Sequence, residues 1–213
     1  MSSLPNCEFV RVMDSHHFSV AVLAGGKGKR MRSDKAFLSY RGKSFVRTIT
    51  DEMLKISDDV VVVIGKKDAS EFAAIMDERV KIMNDAYYIE NPMGGMLSAC
   101  DHLRNKYAAF VACDTPMMKA EVIRYVGDRA ISHAAAVPIW GNGDTEPLCS
   151  VYDVNETKEA GAQALNKGKI GCKHLLSCMN DVNYVSAEEI KKIDPKLVSL
   201  RNINTADDLR YLE

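Results

Sequence analysis

What the 213-residue chain lacks narrows its class. No apolar run approaches the roughly 20 residues needed to cross a bilayer, which argues against a membrane-spanning helix. The segment up to His17 lacks a signal peptide's continuous apolar stretch, because Pro5, Glu8, Arg11 and Asp14 interrupt it. A cytoplasmic protein is therefore expected, with residues 1–17 as a leader and residues 18–213 as a single domain. Excess charge of either sign is also missing. With 28 Lys+Arg against 29 Asp+Glu and a net charge of -1, there is no bulk electrostatic case for nucleic acid. The six cysteines are scattered without a C-x-x-C pair and the histidines show no H-x-x-x-H pattern, so a zinc site is not expected. Cys100, Cys113 and Cys149 stand in apolar stretches where Cys acts as a small hydrophobe. Neither common phosphate motif occurs: G-x-G-x-x-G fails at Met31, and G-x-x-x-x-G-K-[ST] is absent. That argues against a dinucleotide dehydrogenase and against a P-loop hydrolase.

What is present is Val20-Ala-Val-Leu-Ala-Gly-Gly-Lys-Gly-Lys-Arg-Met-Arg-Ser-Asp-Lys35. An apolar strand breaks into three glycines among cations and ends on Asp34-Lys35. Glycines let the backbone approach an anion closely, and Lys and Arg neutralise it. Lys29, Arg30, Arg32 and Lys35 would repel one another without an anion among them. The loop points to a nucleotide.

The rhythm of elements places that loop. Strands are expected at Phe18 to Ala24, Asp59 to Gly65, Val80 to Asn84 and Tyr107 to Cys113. Helices are expected at Ser44 to Ile56, Ala69 to Glu78, Met96 to Asn105 and Lys119 to Ile131. Ala36 to Tyr40 reads as a short extended piece, and Asn91 to Gly95 as a loop. This alternation predicts an α/β fold: a three-layer, doubly wound, mostly parallel, Rossmann-like sheet. Ala134 to Trp140 and Glu146 to Asp153 read as an antiparallel hairpin added late, serving as a lid or wall for a second substrate. The tail carries helices around Asn155 to Asn166 and Cys172 to Met179, a strand near Val182 to Val185, a capping box at Ser186 to Glu189, and a helix start at Thr205 to Asp208.

Three further constellations stand out. Asp114 ends the apolar run Phe110-Val-Ala-Cys, at the strand tip where open α/β sheets bind ligands. It suits Mg²⁺ bridging substrate phosphates, or alternatively caps the turn before Pro116. Asn91-Pro-Met-Gly-Gly-Met96 has two glycines opening a helix, which would let a base or ribose approach its N-terminus, or else form a tight strand-to-helix turn. Asp85 either accepts hydrogen bonds from the nucleotide or ends its strand in solvent. Asp144 to Leu148 with Lys167, Lys169, Lys173 and His174 forms either an anion-lined second site or a solvated surface.

Leu23-Ala-Gly-Gly-Lys-Gly-Lys-Arg-Met31 with Asp34-Lys35 resembles the signature of sugar-phosphate and cofactor nucleotidyltransferases. Together with Pro92-Met-Gly-Gly-Met-Leu97, Cys113-Asp-Thr-Pro116, Glu146-Pro-Leu148 and Asn202-Ile-Asn-Thr205, in that order, it resembles the molybdenum cofactor guanylyltransferases (molybdopterin-guanine dinucleotide biosynthesis protein A family). The resemblance implies transfer of GMP from GTP to the phosphate of molybdopterin, with Mg²⁺ as cofactor and transient contact with other proteins of molybdenum cofactor biosynthesis. It implies catalytic roles for Arg30, Lys35 and Asp114, the last as metal ligand. Nucleotide contacts are implied at Leu23, Ala24, Gly25, Gly26, Lys35, Asp85, Gly95 and Asp114. Arg32 and Asn91 depart from the family, which usually carries glycine at both positions. Two other readings use the same loop: a transferase acting on adenosylcobinamide phosphate or a sugar phosphate, and a non-catalytic nucleotide-binding module.

Overall fold

The computed structural model describes residues 18–26, 34–87, 89–204 and 208. Its spine is a seven-stranded sheet ordered β5-β4-β1-β6-β8-β7-β9. The strands are β1 (Phe18–Leu23), β4 (Val60–Val63), β5 (Lys81–Met83), β6 (Tyr107–Ala112), β7 (Ala135–Ile139), β8 (Cys149–Asp153) and β9 (Val182–Ser186). β2 (Ser39–Tyr40) and β3 (Lys43–Ser44) form a separate small hairpin. Its turn residues Arg41 and Gly42 both have positive φ, which matches the twist of tightly joined strands.

β5, β4, β1 and β6 run parallel, with Val20 opposite both Val60 and Ala109. Every residue of β1 and β4 is buried, which is why those strands read as unbroken apolar runs. Alternate side chains serve opposite layers. Val20, Val22, Val60, Val62, Ala109 and Val111 join a core with α1 (Phe45–Met53), α2 (Ala69–Ala73), α4 (Ala120–Asp128) and α7 (Ala187–Ile190). Ala21, Leu23, Val61, Val63, Ala108 and Phe110 join the other, with α3 (Pro92–Cys100), α5 (Val154–Asn166) and α6 (Cys172–Leu176). The result is the expected three-layer, mostly parallel α/β sandwich. No helix among the described residues is long and apolar enough to cross a membrane.

Local signals set several boundaries. Ser44 caps α1 by accepting from Arg47 N at 3.3 Å, and the Ser186–Glu189 capping box opens α7. The extended piece expected from Ala36 begins instead with a 3₁₀ turn at Lys35–Phe37, capped by Asp34. α2 stops at Ala73 instead of continuing to Glu78. Asp77 takes the Arg79 N–H onto its own carboxylate at 3.0 Å, a local bond that competes with helix.

One larger expectation is corrected and one is refined. Asn91 to Gly95 is not a loop, because α3 starts at Pro92 and contains both glycines. Asn91 is its N-cap, accepting from Met93 N at 3.1 Å, and Pro92 occupies the first turn. Packing on β1 and β4 outweighs the weak helix propensity of Gly94 and Gly95. The late antiparallel hairpin is present as expected, since β7 pairs with β8, and only its place differs: it lies within the main sheet, not added to it. β8 inserts between β6 and β7 and is the one strand running against the others. Buried Tyr152 stacks edge-on against Phe110 at 5.6 Å, so core burial draws β8 into the sheet. The leader and the helix start at Thr205 lie outside the described residues, apart from Asp208.

Candidate nucleotide site

The chain order β1, β4, β5 proceeds one way from β1, and β6 then pairs on its other side. The carboxyl ends of β1 and β6 therefore flank the switch point at which open α/β sheets bind ligands. Leu23, Ala24, Gly25 and Gly26 lie there. Ala24 N donates to Val63 O at 2.8 Å, so the chain leaves the sheet only after Ala24. Gly25 crosses the Ile64-Gly65 turn so closely that a Cβ on it would fall 2.9 Å from Gly65 N. Gly65 itself holds φ +66°, so neither position accepts a side chain without strain. Gly26 is exposed, with nothing within 4 Å of a Cβ built on it. Arg30 and the rest of residues 27–33 lie outside the described residues.

Where the chain is described again, Asp34 caps the 3₁₀ turn and Lys35 reaches across to the tip of β6. Lys35 Nζ donates to Asp114 Oδ2 at 2.8 Å and to Asn204 Oδ1 at 2.7 Å. Both members of the Lys35–Asp114 pair are about one-fifth exposed, open to solvent from one side. Asp114 O accepts from Ile203 N at 2.7 Å, which ties the Asn202-Ile-Asn204 segment along the same strand tip. Thr115 Oγ1 donates to Ala112 O at 2.8 Å and holds the turn that carries Asp114.

Asp85 and Gly95 stand in more structural surroundings. Asp85 Oδ1 accepts from Ser98 Oγ and, at 3.0 Å, from Tyr87 N, binding the end of β5 to α3. Gly95 is buried, and a Cβ on it would meet Leu23 Cδ2 at 3.3 Å. Its smallness brings α3 onto the end of β1; in this structure it faces packed side chain.

Beside Asp114, a cavity of about 220 Å³ is lined by Thr115, Glu146, Pro147, Leu148, Cys172 and Asn202, among others. Glu146 accepts from Trp140 Nε1 at 2.7 Å. Burial raises its carboxyl above the ordinary value, against the lowering effect of the indole bond, and nearby Asp144 and Asp114 add to the rise. Lys173 approaches Asp144 at 3.4 Å with both side chains exposed and outside the cavity lining, and Lys167 and Lys169 are exposed at the end of α5. Buried Cys113, behind Asp114, has its thiol pushed up to about 12, chiefly by desolvation. An inert hydrophobe is the consistent reading, as expected for Cys100 and Cys149, which are also buried.

Among the described residues no three His, Cys, Asp or Glu side chains gather as a metal cluster. A lone carboxylate at the site mouth fits a hard cation that takes most of its ligands from substrate phosphates and water, as Mg²⁺ does. Sequence reasoning missed Asn204, Lys67, Gly65 and Asn84. Asn204 had a signal in the Asn-Ile-Asn pattern. Lys67 and Asn84 had none, since only the fold brings them to the loop.

Comparison with known proteins follows the same lines. The family model described as "MobA-like NTP transferase domain" matches residues 20–181. A probable molybdenum cofactor guanylyltransferase of Methanothermobacter thermautotrophicus is 36% identical over 90% of this chain and 97% of its own length. A molybdenum cofactor guanylyltransferase of Desulfosudis oleivorans is 27% identical over 90% of this chain and 92% of its own. The crystal structure of molybdopterin-guanine dinucleotide biosynthesis protein A from Archaeoglobus fulgidus superposes with a TM-score of 0.77 at 26% identity, covering 92% of this chain and 97% of that one.

Proposed function

This chain belongs to the MobA-like NTP transferase domain family and is a nucleotidyltransferase of molybdenum cofactor biosynthesis, and we propose that it transfers GMP from GTP to the phosphate of molybdopterin. The observation that carries the reading is the convergence of Lys35, Asp114 and the end of β1 at the switch point, with Lys35 Nζ 2.8 Å from Asp114 Oδ2. In the reaction an oxygen of the acceptor phosphate attacks the α-phosphorus of GTP. The bond from that phosphorus to the bridging oxygen breaks, and pyrophosphate leaves. The nucleophile is already an anion, so no general base is required.

The protein's work is positioning and charge neutralisation. The backbone from Leu23 to Gly26 lies beside the nucleotide, and Asp85 and Gly95 act from behind it by setting α3 against the ends of β5 and β1. Lys35 exchanges the Asp114 carboxylate for triphosphate oxygens and stabilises charge on the transferring group and the departing pyrophosphate. Arg30 adds a second cation from the loop. Nucleotidyltransferases generally use a divalent cation. We assign Mg²⁺ to Asp114, where it would neutralise phosphate charge when bound. The acceptor occupies the side of Asp114 lined by Glu146, Thr115 and Asn202, in a cavity of about 220 Å³. With soluble nucleotides as substrates, the cytoplasm is the compartment we assign.

The test is a panel of the four nucleoside triphosphates with molybdopterin, scored by pyrophosphate release. GTP-dependent release, with formation of the guanine dinucleotide, is expected. A preference for CTP, or release only with another phosphate acceptor, would overturn the substrate assignment.

A further inference from the structure

We propose that Lys67 is a positioning residue for nucleotide binding: it holds Ala24 and Asp34, which flank residues 25–33, in a fixed relation and so fixes where Lys35 starts toward the triphosphate. The proposal rests on the nucleotide reading above and adds a residue outside the family motifs. Lys67 lies in the turn between β4 and α2. Its ammonium donates to Ala24 O, at the entrance of the loop, and to Asp34 Oδ1 at 2.7 Å, at the exit. One cation thus spans the nine-residue stretch 25–33 from both sides. Its side chain is 18% exposed and that of Asp34 28%, so the pair is partly buried, much as Lys35–Asp114 is. A charge pair so placed holds its geometry better than a surface ion pair does.

The turn that presents Lys67 is itself braced. Asn84 Nδ2 donates to both Gly65 O and Lys67 O at 3.1 Å, and Asp85 N donates to Gly65 O at 3.0 Å. The same turn carries Gly65, against which Gly25 packs without room for a Cβ. The turn after β4 therefore touches the loop at Gly25, at Ala24 and at Asp34.

The charges also sort themselves by this contact. Asp34 and Lys35 are neighbours in sequence, but Asp34 is answered by Lys67 while Lys35 is directed to Asp114 at 2.8 Å. Asp34 caps the 3₁₀ turn through Ala36 N at 3.1 Å, so holding Asp34 also fixes where the Lys35 side chain begins. Without the Lys67 ammonium, a half-buried carboxylate loses its countercharge beside the lysine that should meet phosphate. The exit of the loop is then free to shift relative to its entrance.

The experiment measures GTP binding to the full chain by calorimetry with Mg²⁺ present, for Lys67→Met, Asp34→Asn and the double variant. Each single variant is expected to bind GTP about tenfold more weakly, on the scale of a lost charge-assisted contact. The double variant should be little worse than either, because both changes cut one link. In steady state the KM for GTP should rise while the KM for the acceptor stays within about twofold, a split that general loss of structure would not give. Unchanged GTP affinity in Lys67→Met, or multiplying losses in the double variant, overturns this role of Lys67. If Lys67→Met does not fold, Asp34→Asn removes the countercharge of Lys67 with an isosteric side chain and decides alone. Failure of the unaltered chain to bind GTP would instead strike the nucleotide reading, so the two failures are distinguishable.

Discussion

Two aspartates, one at each end of the same parallel sheet, are paired with lysines in opposite ways. At the amino ends of the strands Asp59 is completely buried. It accepts from Ser19 Oγ at 2.6 Å, Lys81 Nζ at 2.9 Å and Arg104 N at 2.8 Å, and Arg104 Nε lies 3.1 Å away. At the carboxyl ends, Asp114 is partly open and meets Lys35 and a backbone segment that also faces solvent. Burial by itself would raise the Asp59 carboxyl, but the bonds from Ser19, Lys81 and Arg104 outweigh it and hold it below the ordinary value. Asp59 is locked into the fold, whereas the function proposed above has a ligand replace the partner of Asp114. A Lys–Asp pair is thus no sign of function; its place at the ends of the strands and the exchangeability of its partner are.

The comparison can be broken most sharply at Asp114. Asp114→Asn should lower pyrophosphate release by about 10²–10³-fold, the scale of a lost transition-state contact. Its melting temperature should move much less than that of Asp59→Ala, because Asn keeps the shape of the side chain and an oxygen that still accepts from Lys35. Near-normal turnover in that variant would remove Asp114 from the chemistry. Asp59→Ala should do the reverse. Stranding buried Ser19 and the Arg104 N–H should cost about 3 kcal/mol in denaturant melts, with activity per folded molecule retained. A small stability loss there would mean that water or neighbouring groups replace the carboxylate.

Gly25→Ala tests the seam between the two behaviours. Its Cβ would press on Gly65 backbone, so a loss of about 1–3 kcal/mol is expected together with weaker GTP binding. Retained affinity would show that the loop tolerates movement of the β4 turn. The smallest effect is in pH. Because the folded Asp59 titrates below its ordinary value of 3.8, the stability it contributes is complete above that value and is lost as pH falls through the lower folded value. Acid melts of Asp59→Asn should therefore flatten below about pH 4 relative to the unaltered chain. Glu146 has the opposite sign. Its raised carboxyl favours the fold below the ordinary value of 4.5 and loses that advantage as pH rises, so Glu146→Gln should flatten the limb just above that value.

Much of this was legible in the chain. Unbroken β-branched runs marked β1 and β4 because strands covered on both faces need no polar alternation. Ser44 and Ser186 marked helix starts because their hydroxyls satisfy exposed N–H groups. The glycine-rich basic loop and the lone Asp114 after an apolar run marked the strand tips. The errors have a common cause. Pro92-Met-Gly-Gly95 looked like a loop because glycine is a poor helix former, yet the packing of α3 on β1 and β4 selects small residues. The hairpin looked like an addition because its turn is local, yet Tyr152 and Phe110 meet only when β8 enters the sheet. Lys67 left no trace because its partners Ala24 and Asp34 are 43 and 33 residues away.

The amino-acid sequence by itself determined the alternation of strands and helices, the caps, and the chemistry carried at each strand tip, since these depend on neighbours within a few positions. Only the tertiary structure decided that Lys35 faces Asp114, that Asp59 is sealed at the far end of the sheet, and that Lys67 meets both Ala24 and Asp34. Those outcomes depend on which buried surfaces meet across the sheet. Charges distant in sequence become partners only after packing has chosen their positions.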